Sequence, residues 1–349
     1  MNGRMSRRAA AGAALGLALG AGACVPPGPE PAGEAAGSLL VLGSAEPEYV
    51  RGVARAFELE TGVRTTYVRL SAGEALARLR AERAAPPFSV WWGGAADGYA
   101  AAAAEGLLEP YRPRGGARIP RQYKDAGGHW TGVYVGALAF AVNRRALAER
   151  GLPAPVSWAD LTRPVYRGRL SMAHPATSGT AYTALATLVQ LHGKDVGQGL
   201  AYFAALHPNV REYQRSGAAP ARLAGRGEVA VGIAFAHDVV AALEDGEHDL
   251  EVVFPGEGTG YEVGATALVR NGPDPAAGRR FMDWALGEPA QQLGPLFTAY
   301  QIPTNPDAKV PPKSVRLSAV KTIPYDVAWA GEHRQLLVER FAATIAPPP

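Results

Sequence analysis

Residues 169–189 read RLSMAHPATSGTAYTALATLV, and their pattern changes period in the middle. Arg169 to Ala173 is a short apolar run suited to a buried strand. From Ser178 onward Ala181, Ala184, Leu185, Leu188 and Val189 share one face of a helix. The join, Thr177-Ser178-Gly179-Thr180, places Ser178 at the helix N-cap. A helix that starts on Ser-Gly-Thr leaves the amides of Gly179, Thr180 and Ala181 unpaired, adds hydroxyl donors, and sets the positive end of the helix dipole behind them. Such a start binds anions of the phosphate type, or it only caps its own helix. The rest of the chain decides between the two.

The same strand, turn and helix unit recurs on both sides of this one. Toward the N-terminus the pattern predicts a strand over Leu39–Leu42, a helix over Glu48–Glu60, a strand over Thr65–Leu70, a helix over Gly73–Ala84 and a strand over Phe88–Trp91. These strands run into Gly43-Ser44, Ser71-Ala72-Gly73 and Gly93-Gly94. A long apolar run, Val133 to Val142, leads to Asn143, and Ser157 caps a further short helix. Beyond the Ser-Gly-Thr turn, strands over Val210–Tyr213 and Val229–Phe235 run into Ser216-Gly217 and His237-Asp238. The run Leu250–Phe254 and a return strand over Val263–Val269 follow, then helices over Pro275–Leu286 and Pro289–Phe297 and a last helix over Tyr325–Ile345. Alternation of this kind is open α/β architecture, in which ligands sit outside the carboxyl ends of the strands. Two such series with two crossings predict two lobes facing a cleft: residues 38–137 with 264–310, and residues 138–263, with 311–349 as a C-terminal strap.

The N-terminus reads as an export signal. Arg4, Arg7 and Arg8 precede an Ala/Leu/Gly run that ends in Ala21-Gly22-Ala23-Cys24, the layout of a signal peptide over residues 1–23. Small residues before the only cysteine in the chain resemble a lipobox, which makes Cys24 a lipidation site; an ordinary signal with a coincidental cysteine is the alternative. Residues 24–37, rich in Pro, Gly, Glu and Ala, suit a flexible tether. The formal net charge of +3 comes from the three leader arginines, so the chain after Cys24 is neutral. A nucleic-acid role loses its main support.

Several phrases together resemble the extracellular solute-binding proteins of ABC importers: Trp91-Trp92-Gly93-Gly94, Val133-Tyr134-Val135-Gly136, Ser157 to Leu161, Pro175 to Tyr182, Gly227 to Gly232, Phe235-Ala236-His237-Asp238 and Phe281 to Ala285. The resemblance is to the branch labelled iron(III) or 2-aminoethylphosphonate binding, which includes hexose-phosphate receptors. It implies a two-lobed type II periplasmic-binding fold with two hinge crossings, a ligand clamped in the cleft and an ABC permease as partner; with the leader and Cys24, the chain reads as a monomeric, exported, membrane-anchored lipoprotein. Ferric-binding relatives hold iron through adjacent tyrosines. This chain has thirteen tyrosines and no adjacent pair, and the corresponding stretch, Gln214 to Ala218, offers no metal ligand, so iron is the minor alternative.

For the anion, Thr177, Ser178, Gly179 and Thr180 carry over from the family phrase, and Ser44 and Ser71 of the other lobe are placed to close on the same oxygens, although Ser71 also reads as a helix cap. For the rest of the ligand the candidates are His237, Asp238 and Glu262, with Asp238 also readable as an N-cap and His237 as a packed core residue. The resemblance implies sugar hydroxyls on the His237-Asp238 pair. Carboxylates suit both hydroxyls and an ammonium group, hence a sugar phosphate or an aminophosphonate. Trp92 is a candidate cover for a sugar face, with one of Trp91 and Trp92 turned into the core. There is no Gly-x-Ser-x-Gly elbow, phosphate loop or His-Glu-x-x-His pair, and no cofactor or metal is called for. The chain thus reads as a binder rather than an enzyme, a periplasmic phosphatase being the rival from another class.

Overall fold

The computed structural model describes residues 37–349, and Ala36–Pro349 forms one compact unit. The expected signal peptide, Cys24 and nearly all of the expected tether lie outside the described residues. Eleven strands are present among them: β1 (Ser38–Gly43), β2 (Arg64–Arg69), β3 (Val90–Ala95), β4 (Leu108–Glu109), β5 (Thr131–Asn143), β6 (Leu170–Ala173), β7 (Val210–Gln214), β8 (Val231–Phe235), β9 (Leu250–Val253), β10 (Tyr261–Val269) and β11 (Ile302–Pro303). Their order is β2-β1-β3-β10-β5-β8-β6-β7, with β4 on β10 and both β9 and β11 on β5.

The first lobe holds parallel β2, β1 and β3, then antiparallel β10 and the first half of β5. The second lobe holds the second half of β5, antiparallel β8 and β9, and parallel β6 and β7. The change of partner falls between Ala137, opposite Tyr261, and Leu138, opposite Phe235. All thirteen residues of β5 are buried, which a run of Val, Ala, Leu and Phe with no charged residue allows. The two-lobed fold expected from the alternation is the one observed. The return crossing differs from the expected boundary at 263/264: Tyr261, Glu262 and Val263 already pair with Ala137, Gly136 and Val135, so Glu262 belongs to the first lobe.

Three other expectations need correction. The strand expected to stop at Trp91 continues through Gly93-Gly94 to Ala95 and passes directly into a helix, Ala96–Ala104, that carries no amphipathic stripe because alanines pack on several sides of it. The helix expected over Pro289–Phe297 is two short turns, Glu288–Gln291 and Gly294–Phe297. The final helix is broken at His333 into Val327–Glu332 and Arg334–Thr344.

The break lets the C-terminal segment touch both lobes. Gly331 lies against Ala100 and Ala101 of the first lobe, while Leu337 and Phe341 join the core of the second. Between them a fully buried ion pair forms, with Arg334 Nη1 2.7 Å from Asp97 Oδ1. Thr183 of the second lobe and Tyr325 donate to the other carboxylate oxygen at 3.1 and 3.3 Å, and the Arg334 guanidinium stacks 4.1 Å over Tyr182. Removing one partner of such a pair strands the other without water, at a cost of about 3–5 kcal/mol. Urea unfolding of Arg334→Met is therefore expected to show a loss of that size. The double variant D97N/R334M should lose less than the sum of the two single changes.

Candidate functional site

Between the lobes lies a cavity of about 460 Å³ including its mouth. Four helices of nine or more residues start on it: Ala72–Ala81 and Ala96–Ala104 from the first lobe, Gly179–Leu191 and Ala236–Glu244 from the second. Each follows a strand whose carboxyl end points at the cleft, Ala72–Ala81 and Gly179–Leu191 after a short turn and Ala96–Ala104 and Ala236–Glu244 directly, so the helix amides face the space. Four helix N-termini aimed at one cavity make its potential positive even before side chains are counted.

The Ser-Gly-Thr turn sits here. Ser178 Oγ accepts from the Ala181 amide at 3.3 Å, so the cap takes one of the three amides expected to be free and leaves those of Gly179 and Thr180. Thr180 lines the cavity beside Gly217, where any Cβ would overlap its hydroxyl. From the opposite lobe come Ser44, whose Oγ accepts from Trp91 Nε1 at 2.9 Å and so keeps its hydrogen for the cavity, and Ser71, whose amide donates to Glu74 at 3.2 Å in a capping box. Ser71 thus caps its helix and lines the cavity at once.

Two expected residues lie elsewhere. Thr177 Oγ1 is committed to the carbonyls of His174 and Arg215, at 3.2 and 3.1 Å, and its side chain does not reach the cavity. Trp92 packs edge-on to Tyr49 at 5.0 Å in the core of the first lobe, and Trp91 stacks on Tyr99 at 3.9 Å. Both indoles are core, because the central strand β3 is covered on its two faces.

At the other side of the cavity His237, Asp238 and Glu262 meet across the lobe crossing. His237 Nε2 is 3.5 Å from Glu262 Oε1 and 3.7 Å from Asp238 Oδ1. Gly136, paired with Glu262, makes the approach possible, since a Cβ there would overlap His237 Nδ1. The helix begins at Ala236 after Phe235, so Asp238 is inside its first turn rather than its N-cap, and the imidazole stacks on Phe235. Burial pushes the His237 imidazole down to about 3 and holds it neutral. Burial raises Asp238, reinforced by Glu46 and opposed by Arg222 and Arg69; it also raises Glu262 well above the usual range, reinforced by Asp238 and Asp97. His237 Nδ1 and Gln301 Oε1 are buried without a hydrogen-bond partner among the described residues.

Several lining residues carry no motif. Arg69, the last residue of β2, puts its guanidinium between the Ala45 carbonyl at 3.0 Å, Ser71 Oγ at 3.5 Å and Glu46 at 3.6 Å. Its place at the strand end just before Ser71 is the one signal that could have marked it. Tyr134 accepts from the Gly94 amide at 2.8 Å, an amide presented by a positive φ of 79° that favours glycine. The Tyr134 phenol, raised well above its ordinary range by burial, keeps its proton as a donor. Only the fold brings Gln301 here.

The lobes meet at the rim. The Gly73 amide donates to the Thr177 carbonyl at 3.0 Å, and Glu46 pairs with Arg222 and Glu74 with Arg215 from one lobe to the other.

A family model described as bacterial extracellular solute-binding protein matches residues 97–328. A Haemophilus influenzae protein, described only as uncharacterized, is 36% identical over 319 residues, 89% of this chain and 91% of its own. Among solved structures, the periplasmic binding protein AfuA from Actinobacillus pleuropneumoniae, with exogenous fructose-6-phosphate bound, is 37% identical with a TM-score of 0.86, covering 89% of this chain and 99% of that one. The periplasmic binding protein P5PA is 30% identical with a TM-score of 0.84, covering 88% and 99%. Iron-bound HitA from Pseudomonas aeruginosa, at 17% identity and a TM-score of 0.76 over 87% and 99%, shares the fold.

The shifted groups set a pH dependence of stability. His237 has a folded pKa below its ordinary 6.5, so below that pH the unfolded chain takes up the extra proton and stability rises with pH. Asp238 and Glu262 are raised, so the folded chain holds the extra protons and stability falls as pH rises. Above 6.5 the imidazole drops out and only the carboxylates act. The melting temperature of the ligand-free chain should therefore fall between pH 6.5 and about 8.5, and differential scanning calorimetry of Asp238→Asn should show a flatter profile.

Proposed function

Because the chain belongs to the bacterial extracellular solute-binding proteins and has the type II periplasmic-binding fold of ABC-importer receptors, we propose that it captures a small organophosphate or organophosphonate between its lobes and delivers it to an ABC permease. A hexose phosphate is the leading ligand and 2-aminoethylphosphonate the second. The observation that carries this reading is the convergence of four helix N-termini, from both lobes, on one cavity. Free amides backed by helix dipoles stabilise a phosphate without the desolvation cost of burying several cations. The hydroxyls of Ser44, Ser71, Ser178 and Thr180 suit the remaining phosphate oxygens, and Arg69 adds one positive charge.

The organic part of the ligand meets His237, Asp238 and Glu262. Held neutral, these groups donate to and accept from sugar hydroxyls with no net charge to compensate. An ammonium group would require at least one carboxylate to ionise in a buried setting, which places the aminophosphonate second. The AfuA structure with fructose-6-phosphate bound, at 37% identity, supports the same ligand class. We take Cys24 as the lipid-anchored residue, followed by the tether, which makes the receptor a membrane-attached lipoprotein facing the periplasm or cell surface.

Melting shifts with fructose 6-phosphate, glucose 6-phosphate, 2-aminoethylphosphonate, inorganic phosphate and ferric citrate test the ligand. A ligand at 100 times its Kd should stabilise the chain by about 2.7 kcal/mol. Hexose phosphates are expected to shift the melt, and a shift with ferric citrate alone would overturn the reading. The pair S178A/T180A should remove the hexose-phosphate shift while lowering ligand-free stability by only the lost helix cap, about 1 kcal/mol. Turnover of a chromogenic phosphate ester by the pure protein would make it an enzyme instead. For the anchor, Cys24→Ala is expected to move the protein from the membrane fraction to the soluble one.

A further inference from the structure

A second cavity, about 1110 Å³ including its mouth, is lined by Tyr111, Arg112, Arg114, Arg121, Lys124 and Asp125 on the first lobe, away from the cleft. The segment 112–124 that forms most of it holds five cationic side chains and no carboxylate, in a chain that is neutral after Cys24. The segment is firmly seated. Pro113 and Ile119 are buried, the Tyr111 hydroxyl and Arg114 amide both donate to Asp283, at 2.9 and 2.8 Å, and Lys124 Nζ donates to the Gly116 carbonyl at 2.7 Å. Nearby carboxylates are few and engaged: Asp283 pairs with Arg114, Asp307 with Arg118, and Asp125 with His129. Arg112, Arg121 and Lys124 have no carboxylate partner among the described residues. Arg112 donates only to the Ala126 carbonyl, at 3.2 Å.

The position of this cavity is informative. The strands β1, β2 and β3 point their carboxyl ends at the cleft, so the chain enters β1 at Ser38 from the opposite end of the lobe. The segment follows β4, which pairs with Leu268 and Val269 at that same end. One helix, Pro275–Ala285, links the two features: Gly37 lies against Asp274 and Ala277 at its start, and Asp283 near its end holds Tyr111 and Arg114. Nine residues of helix separate these points by roughly 14 Å. The fourteen residues from Cys24 to Gly37 span at most about 50 Å.

We propose that this basic cavity docks the chain on the anionic phospholipid surface to which Cys24 tethers it, taking phosphodiester headgroups between Arg112, Arg121 and Lys124. This rests on the lipid-anchor reading. A tether alone leaves the cleft free to face any direction, whereas a second, electrostatic contact at the far end of one lobe orients it. The attraction acts within about 8 Å of the surface at physiological salt, which the short tether and the adjoining cavity satisfy together.

The test uses the compact unit from Ala36 onward, which carries neither leader nor lipid, so that its outcome is separate from that of the Cys24 experiment. Co-sedimentation is measured with vesicles of phosphatidylglycerol in phosphatidylcholine and with phosphatidylcholine alone. Binding is expected to the anionic vesicles only and to be lost at high salt. R112Q/R121Q/K124Q should weaken it roughly 100-fold, with the hexose-phosphate melting shift retained. The control R150Q/R169Q/R211Q removes the same charge from a cavity on the second lobe and should leave binding unchanged. Equal loss in both variants, equal binding to neutral vesicles, or no binding at all would overturn the proposal. So would displacement by millimolar glycerol 3-phosphate, which would mark a site for free phosphates rather than a membrane surface.

Discussion

One strand, β5, cannot satisfy its backbone in either lobe alone. Its thirteen residues are buried throughout, and every amide and carbonyl must find a partner where water is excluded. The first half finds β10 and the second half β8 and β9. Both lobes are thereby registered against a single segment of chain. The consequence for chemistry is direct: Glu262 stands opposite Gly136, the second residue before the crossing, and His237 follows the strand whose Phe235 stands opposite Leu138, the first residue after it. His237, Asp238 and Glu262 meet because they hang from the two sides of the crossing.

The cavity combines two electrical environments. On one side four helix starts and Arg69 create a positive potential. On the other, burial drives an imidazole and two carboxylates toward their neutral forms. A ligand with one anionic end and one hydroxylated end matches both without neutralising either. The rim pairs Glu46 with Arg222 and Glu74 with Arg215 are half-exposed, and exposed pairs contribute at most about 1 kcal/mol each. They align the closed lobes, while the buried Asp97, Arg334 and Thr183 cluster fastens the C-terminal helix to both.

Much of the cleft edge was legible because a strand followed by small polar residues and a helix has a characteristic spelling. Ser44, Ser71, Ser178, Gly179, Thr180, His237 and Asp238 all lie in such joins and line the cavity. Thr177 lies in one too and points away, since a turn residue has backbone carbonyls within reach that sequence spacing does not reveal. Trp92 was misplaced for a related reason: in a strand covered on both faces, alternation does not separate core from cleft. The helix Ala96–Ala104 escaped notice because its alanines carry no stripe, although its first turn supplies both a cavity-facing N-terminus and the buried Asp97.

The sequence by itself determined the class of fold, the two α/β series, the turns that edge the cleft and the helix start at Ser178, all of which depend on contacts between residues a few positions apart. Tertiary structure decided what depends on distant segments meeting. It placed Glu262 in the first lobe, brought Arg69, Tyr134 and Gln301 to the cavity, and split the final helix so that Arg334 could reach Asp97. It also set the protonation of His237 and its two carboxylate neighbours, because burial acts through the whole surrounding volume of protein. Local pattern fixes where a chain can hold an anion; only packing fixes which neutral groups stand opposite it.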